Sequence, residues 1–235
     1  MNFKTKLKYS LAVLGVSLSV SAHADLYIYG FSNFNQSNGL SITTSNGNFF
    51  APISDSGWWT EGAGHRATND NYIAGICSDC TNKDNHNNYF TFDLSNIDGT
   101  VTSASLNLFN YEIVGTSVEY QLFDITSSLS DVRADGGGNN PIYDDLMSGI
   151  NYGSIIYNNT DSNQFSTISL NADGIFALNS AINSPFEGQF GIGGTITGGI
   201  PGIPPVPEPE TYIMLLAGLG LVGFMIRRRR QEKQD

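Results

Sequence analysis

Between about residues 25 and 200, apolar side chains recur at every second position in short runs, and helical spacing is scarce. This alternation predicts strands over 26–31, 71–76, 89–94, 101–111, 118–123, 154–157 and 165–170, with a last strand, loosened by glycine, over 189–197. The run 101–111 is the clearest: Ala104, Leu106, Leu108 and Asn110 share one face, and Ser103, Ser105, Asn107 and Phe109 share the other. Asn96-Ile97-Asp98-Gly99 reads as a hairpin joining two of these strands. Asn46-Gly47, Asp55-Ser56-Gly57 and Gly136-Gly137-Gly138-Asn139 read as loops. Two short helices are expected, one over 173–182 capped by Asp173 and a weaker one over 142–148. Residues 33–70 are rich in Asn, Ser and Gly and carry no assignable period. Many short strands separated by polar turns predict an all-β domain, an antiparallel β-sandwich with one or two short helices.

The two ends of the chain follow different rules. Lys4, Lys6 and Lys8 precede an apolar run at 11–20 and the small-residue triplet Ala22-His23-Ala24. That order is a secretory signal peptide, with cleavage expected after Ala24. At the other end Pro204-Pro205-Val206-Pro207-Glu208-Pro209-Glu210 leads into a sixteen-residue apolar run, 211–226, and then Arg227, Arg228, Arg229 and Arg230. As a helix the run spans about 24 Å, enough to cross a slightly thinned bilayer with the arginines snorkelling to the cytoplasmic interface. The chain thus divides into a signal (1–24), a β domain (25–197), a Gly/Pro-rich linker (198–210), a transmembrane helix (211–226) and a basic cytoplasmic tail (227–235).

The triplet Pro207-Glu208-Pro209, followed by an apolar helix and an arginine cluster, resembles the PEP-CTERM sorting signal of Gram-negative bacteria. The resemblance covers only residues from about 204 to 235. It implies cleavage near the motif by an exosortase, a membrane cysteine transpeptidase or protease. It also implies co-occurrence with exopolysaccharide production. The implied route is an inner-membrane-tethered precursor, then the cell surface or the extracellular biofilm matrix. A looser resemblance covers residues 88–197. Asn88-Tyr89-Phe90-Thr91-Phe92-Asp93-Leu94-Ser95 followed by Val101-Thr102-Ser103-Ala104-Ser105-Leu106-Asn107-Leu108 is similar to a strand pair of jelly-roll modules in secreted bacterial proteins.

Charge narrows the partners. Residues 25–202 hold 18 acidic residues against Arg66, Lys83 and Arg133, a net of −15. Such a surface repels nucleic acid and anionic lipid. Most of the fourteen Phe and eleven Tyr lie in this segment, which argues for a packed core over disorder. Cys77 and Cys80 are the only cysteines; outside the cytoplasm such a pair most often closes a small disulfide loop. A redox pair and a zinc site shared with His65 and His86 are the alternatives.

Catalytic signatures are scarce. Neither a G-x-S-x-G nor an H-E-x-x-H motif occurs, and the three histidines form no catalytic pattern. Asp144-Asp145 is a carboxylate pair, but neighbouring side chains diverge, and a turn or cap role is the simpler reading. Asp131, Asp135 and Asn139 surround a glycine run and present oxygen ligands of the kind calcium takes. Trp58-Trp59 beside Glu61 is the sequence's candidate glycan contact, although in a strand one of the two rings must turn to the core. The expectation is a non-enzymatic binding or structural module with no cofactor save possible calcium, whose partners are exosortase, the inner membrane during sorting and extracellular polysaccharide. The alternatives are a secreted polysaccharide-acting hydrolase of weak signature and a subunit assembling through edge strands.

Overall fold

The computed structural model describes residues 25–31, 37–68, 71–78, 80, 84–184 and 188–201. Its strands are β1 Leu26–Phe31, β2 Gly39–Thr44, β3 Gly47–Thr60, β4 Asn71–Ile76, β5 Asn85–Asp93, β6 Val101–Val114, β7 Thr116–Phe123, β8 Asn151–Tyr157, β9 Gln164–Ser169 and β10 Gln189–Ile200. Between them lie α1 Leu129–Arg133, α2 Pro141–Asp145, a 3-10 turn Asn159–Asp161 and α3 Ala172–Ile182. Among the described residues no helix is long and apolar enough to cross a membrane. The signal segment with Ala22 and Ala24, the sorting triplet, the helix 211–226 and Arg227 to Arg230 all lie outside the described residues.

The all-β expectation holds, but the strands do not divide into two facing sheets. They form one ten-stranded antiparallel sheet in which β3-β2-β6-β1-β4-β5 closes on itself, because β3 also pairs with β5. The sandwich expectation is therefore corrected to a closed six-stranded barrel with two wings. One wing, β10-β7-β8, continues from β5; the other is β9 on β6.

The reason lies in β3, a fourteen-residue strand inside the stretch that showed no period. Its first half pairs with β2 and its second half with β5, and the register slips between Ile53 and Asp55. The extra residue bends the strand across from one neighbour to the other. Ser54 is held there by donating to the Thr91 carbonyl at 2.9 Å. Asp55-Ser56-Gly57, expected as a loop, is thus strand. Asn46-Gly47 closes the tight β2–β3 turn, where Thr44 pairs with Gly47.

The 96–99 segment was expected to be a hairpin and is not, because β5 and β6 are not partners. It arches between them, with Ile97 in the core, and Asn179 of α3 bonds both the N–H and the carbonyl of Val101. Helix α3 is capped by Asn171, which accepts from the Asp173 and Gly174 N–H groups, so Asp173 sits in the first turn and not at the cap. Strand β10 runs on to Ile200, so the residues 198–200 given to the linker belong to the sheet. The barrel interior is filled by Ile28, Leu40, Ile42, Tyr72, Phe90, Phe92, Leu106 and Leu108, as small barrels require.

Strand β5 is buried on both faces from His86 to Phe92. Its outer side is covered by a second, smaller core of Trp59, Tyr89, Val132, Ile142, Tyr143 and Leu146, formed with α1 and α2.

Candidate glycan-contact surface

Alternation along β3 separates the two tryptophans. Trp59 is only 1% exposed. It stacks on His65 at 5.3 Å between ring centroids and donates its indole N–H to the Val132 carbonyl at 2.9 Å. It fills the smaller core and meets no solvent ligand, which corrects its candidacy as a glycan contact. Trp58 is half-buried, tied by its indole N–H to Asn71 Oδ1 at 3.1 Å and edge-on to His86.

The rings that do stand in solvent are ones the sequence reading passed over. Phe50 on β3 is 43% exposed and Phe165 on β9 is 46% exposed. Both belong to the outer face of the β3-β2-β6-β9 sheet, and with Ser37, Ser41 and Asn107 they line a shallow hollow of about 420 Å³. The floor is a polar ladder: Asn107 donates from Nδ2 to Ser41 Oγ at 2.9 Å, and Thr167 donates from Oγ1 to Asn107 Oδ1 at 2.9 Å. Gly39 makes room for the Phe50 ring, because a Cβ there would collide with it. Phe165 is held edge-on by Phe109 at 5.1 Å. The alternation of Ser103, Ser105, Asn107 and Phe109 in the sequence marked this polar face; that β2, β3 and β9 would join it was not visible.

No side chain lining this hollow titrates near neutral pH. The arrangement can stack apolar ring faces and exchange hydrogen bonds with hydroxyls.

The other candidate residues lie elsewhere. Cys77 and Cys80 form a disulfide just after β4, so no thiolate is left for zinc. Asp131 lies on α1, where its N–H bonds the Ser128 cap. Asp135 Oδ1 accepts the Ala67 N–H at 2.8 Å, and the Asn139 N–H donates to the Glu61 carbonyl at 2.6 Å. These contacts, with the backbone pairing of His65 and Gly136, fasten the glycine run to the 61–67 loop. Gly64 permits the close approach: its φ is +78° and a Cβ would strike the backbone of Gly136 and Gly137. Among the described residues no group of three or more His, Cys, Asp or Glu side chains is placed to hold a metal. Asp145 caps the turn at Thr126 and Ser127. Burial opposes its charge, but hydrogen bonds from those residues win and hold its carboxyl below the usual range.

His65 and His86 are both buried, and burial is the main cause of the downward shift of each imidazole from its ordinary value. His65 Nδ1 faces the Trp58 carbonyl at 2.8 Å and must donate, so Nε2 accepts from the Tyr89 hydroxyl. Burial pushes the Tyr89 phenol up, keeping it protonated. Around His65 stand Asp55, Asp135 and Arg133; Asp55 is itself raised, chiefly by burial. Because the fold disfavours the charged imidazoles, the unfolded chain binds more protons below the ordinary histidine value. Stability is then fully present above about pH 6.5 and falls as pH drops, by up to about 1.4 kcal/mol per pH unit for each histidine. Urea unfolding between pH 7.5 and 5 measures this, and a His65→Asn, His86→Asn double variant is expected to flatten the slope.

Comparison with known proteins bears on the chain's last segment. Residues 205–230 match the family model described as the PEP-CTERM protein-sorting motif. The chain carries a PEP-CTERM sorting signal. The motif implies an exosortase as processing enzyme and marks an exported, membrane-processed protein. The match covers a small part of the chain and leaves the β domain unassigned. No curated protein and no solved structure matches the chain.

Proposed function

We propose that this is a surface or matrix protein of a Gram-negative bacterium, delivered by the PEP-CTERM route, whose β domain binds neutral exopolysaccharide without chemically altering it. One observation carries the reading: the exposed Phe50 and Phe165 rings flank a hollow floored by amide and hydroxyl groups and free of any acid or base. Sugar rings with equatorial hydroxyls present apolar C–H faces to such rings and hydroxyls to such a floor. The domain's net charge of −15 selects against uronate and sulfate polymers. The hydrolase alternative needs two convergent carboxyls, and Asp145 is engaged in capping a turn.

Affinity electrophoresis of the full chain in detergent, through gels containing soluble glucans, tests the proposal. The parent is expected to be retarded by an uncharged polymer and not by a polyuronate. A Phe50→Ala, Phe165→Ala double variant is expected to bind about tenfold or more weakly, since each ring contributes on the order of 1 kcal/mol. Equal retardation of variant and parent removes the assignment to this face.

A further inference from the structure

The exposed aromatic surface continues along β6 beyond the first hollow. Asn107 and Phe109 point to its outer face, and regular alternation would then place Tyr111 outside and Glu112 inside. The strand instead bulges. Gly30 of β1 pairs with Asn110 while Tyr29 pairs with Glu112, leaving Tyr111 as the extra residue. The bulge turns both Tyr111 and Glu112 to solvent and returns Ile113 to the core.

Tyr111 is 51% exposed. Its ring is steadied edge-on by Tyr29 at 6.0 Å and by Phe31 at 5.7 Å. Beside it is a second shallow hollow of about 420 Å³, lined by Tyr111, Glu112, Ile113, Asn159, Ser162 and Asn163. Its far wall is the segment at and after the 3-10 turn, pinned to β6 by hydrogen bonds that include one from Ser162 Oγ to the Ile113 carbonyl at 3.3 Å. The Asn163 N–H donates to the Asn110 carbonyl at 2.7 Å, and the Ile113 N–H donates to Ser162 Oγ at 2.9 Å. Glu112 accepts the Tyr27 hydroxyl on Oε2, leaving Oε1 for another donor.

Two hollows of similar size therefore share one strand, each with an exposed aromatic ring beside amide and hydroxyl groups, the second also bearing the Glu112 carboxylate. Asn107 of the first and Tyr111 of the second stand roughly 10–12 Å apart along it, allowing for the bulge, more than one sugar ring can span. We infer that Tyr111 is a second sugar-stacking subsite, so that β6 grips an internal stretch of an extended, uncharged polysaccharide and not a chain end. This rests on the glycan reading of the Phe50–Phe165 hollow. The ring of Tyr111 takes a sugar's C–H face, and Glu112 Oε1 and the Asn159 and Asn163 amides take its hydroxyls. The Glu112 carboxylate repels a uronate in the same place.

The test is length dependence. Calorimetric titration of the full chain in detergent with β-linked gluco-oligosaccharides, from the disaccharide upward and ending with the polymer, is expected to show affinity rising with length. In Tyr111→Ala the rise shrinks by about fivefold to tenfold, and Tyr111→Trp restores it. Circular dichroism checks that both variants fold. A Tyr111→Ala loss that is the same at every length, or no loss on the polymer, overturns the second subsite while leaving the first hollow standing. A parent that binds no glucan of any length, or that keeps full affinity in the Phe50→Ala, Phe165→Ala variant, overturns the reading beneath it.

Discussion

Replacing Trp59 by alanine is expected to cost about 4 kcal/mol of folding stability, the largest single-residue loss anticipated in the domain. The side chain is fully enclosed by Tyr89, Val132, Ile142, Tyr143 and Leu146. Its indole N–H is the partner of the Val132 carbonyl, and its ring edge occupies the space that a side chain at Gly136 would need. Alanine leaves a cavity and an unpaired buried carbonyl together, and the two costs add. A domain of this size is held by roughly 5–15 kcal/mol in all, so the loss is a large fraction of its total stability. Phe176 provides the contrast. It is as large and as apolar in sequence, but 75% exposed, and Phe176→Ala should stay within about 0.5 kcal/mol of the parent. Urea titrations of both variants decide the matter. If Trp59→Ala shifts the midpoint no more than Phe176→Ala does, the smaller core does not hold α1 and α2 to the barrel.

Disabling the sorting triplet is expected to change the fate of the chain outright. The triplet sets one carboxylate, Glu208, between two prolines that lack backbone N–H groups. An enzyme that reads this triplet loses it when Glu208 becomes alanine or when both prolines do. The expected result is full-length precursor accumulating in the membrane fraction with its apolar and basic tail attached, while processed protein disappears from the released fraction. Immunoblots of the two fractions measure it. A Glu208→Ala variant that is trimmed and released like the parent would mean that residues 205–230 are not read as the motif.

How much was legible beforehand varied with the range of the interactions involved. The strands β1, β6 and β7 announced themselves through local alternation, since over much of each strand a buried residue is followed by a more exposed one. The cysteine pair, three residues apart, needed no distant information either. Strand β3 was unreadable because its exposure pattern changes where it changes partner at Ser54, and no period spans that change. Strand β5 is longer in the fold than its alternation showed, because both its faces are buried by groups distant in sequence, among them Trp58 of β3, Tyr120 of β7 and Tyr143 of α2. The proposed glycan face was half legible: the polar row on β6 was seen, but Phe50 and Phe165 lie 115 residues apart and meet only through β2 and β6.

The sequence by itself determined that this protein carries an export and membrane-processing signal, because the Pro-Glu-Pro triplet, the apolar run and the arginine cluster are local features that no fold is needed to display. It also determined that the middle is built of strands, since a period of two is a local property of the backbone. Which of two adjacent tryptophans is core, which phenylalanines are surface, and that the sheet closes into a barrel were decided only by tertiary structure. Those outcomes depend on pairings between strands far apart in the chain, and a single shift of register at β3 or β6 reverses which way a side chain faces.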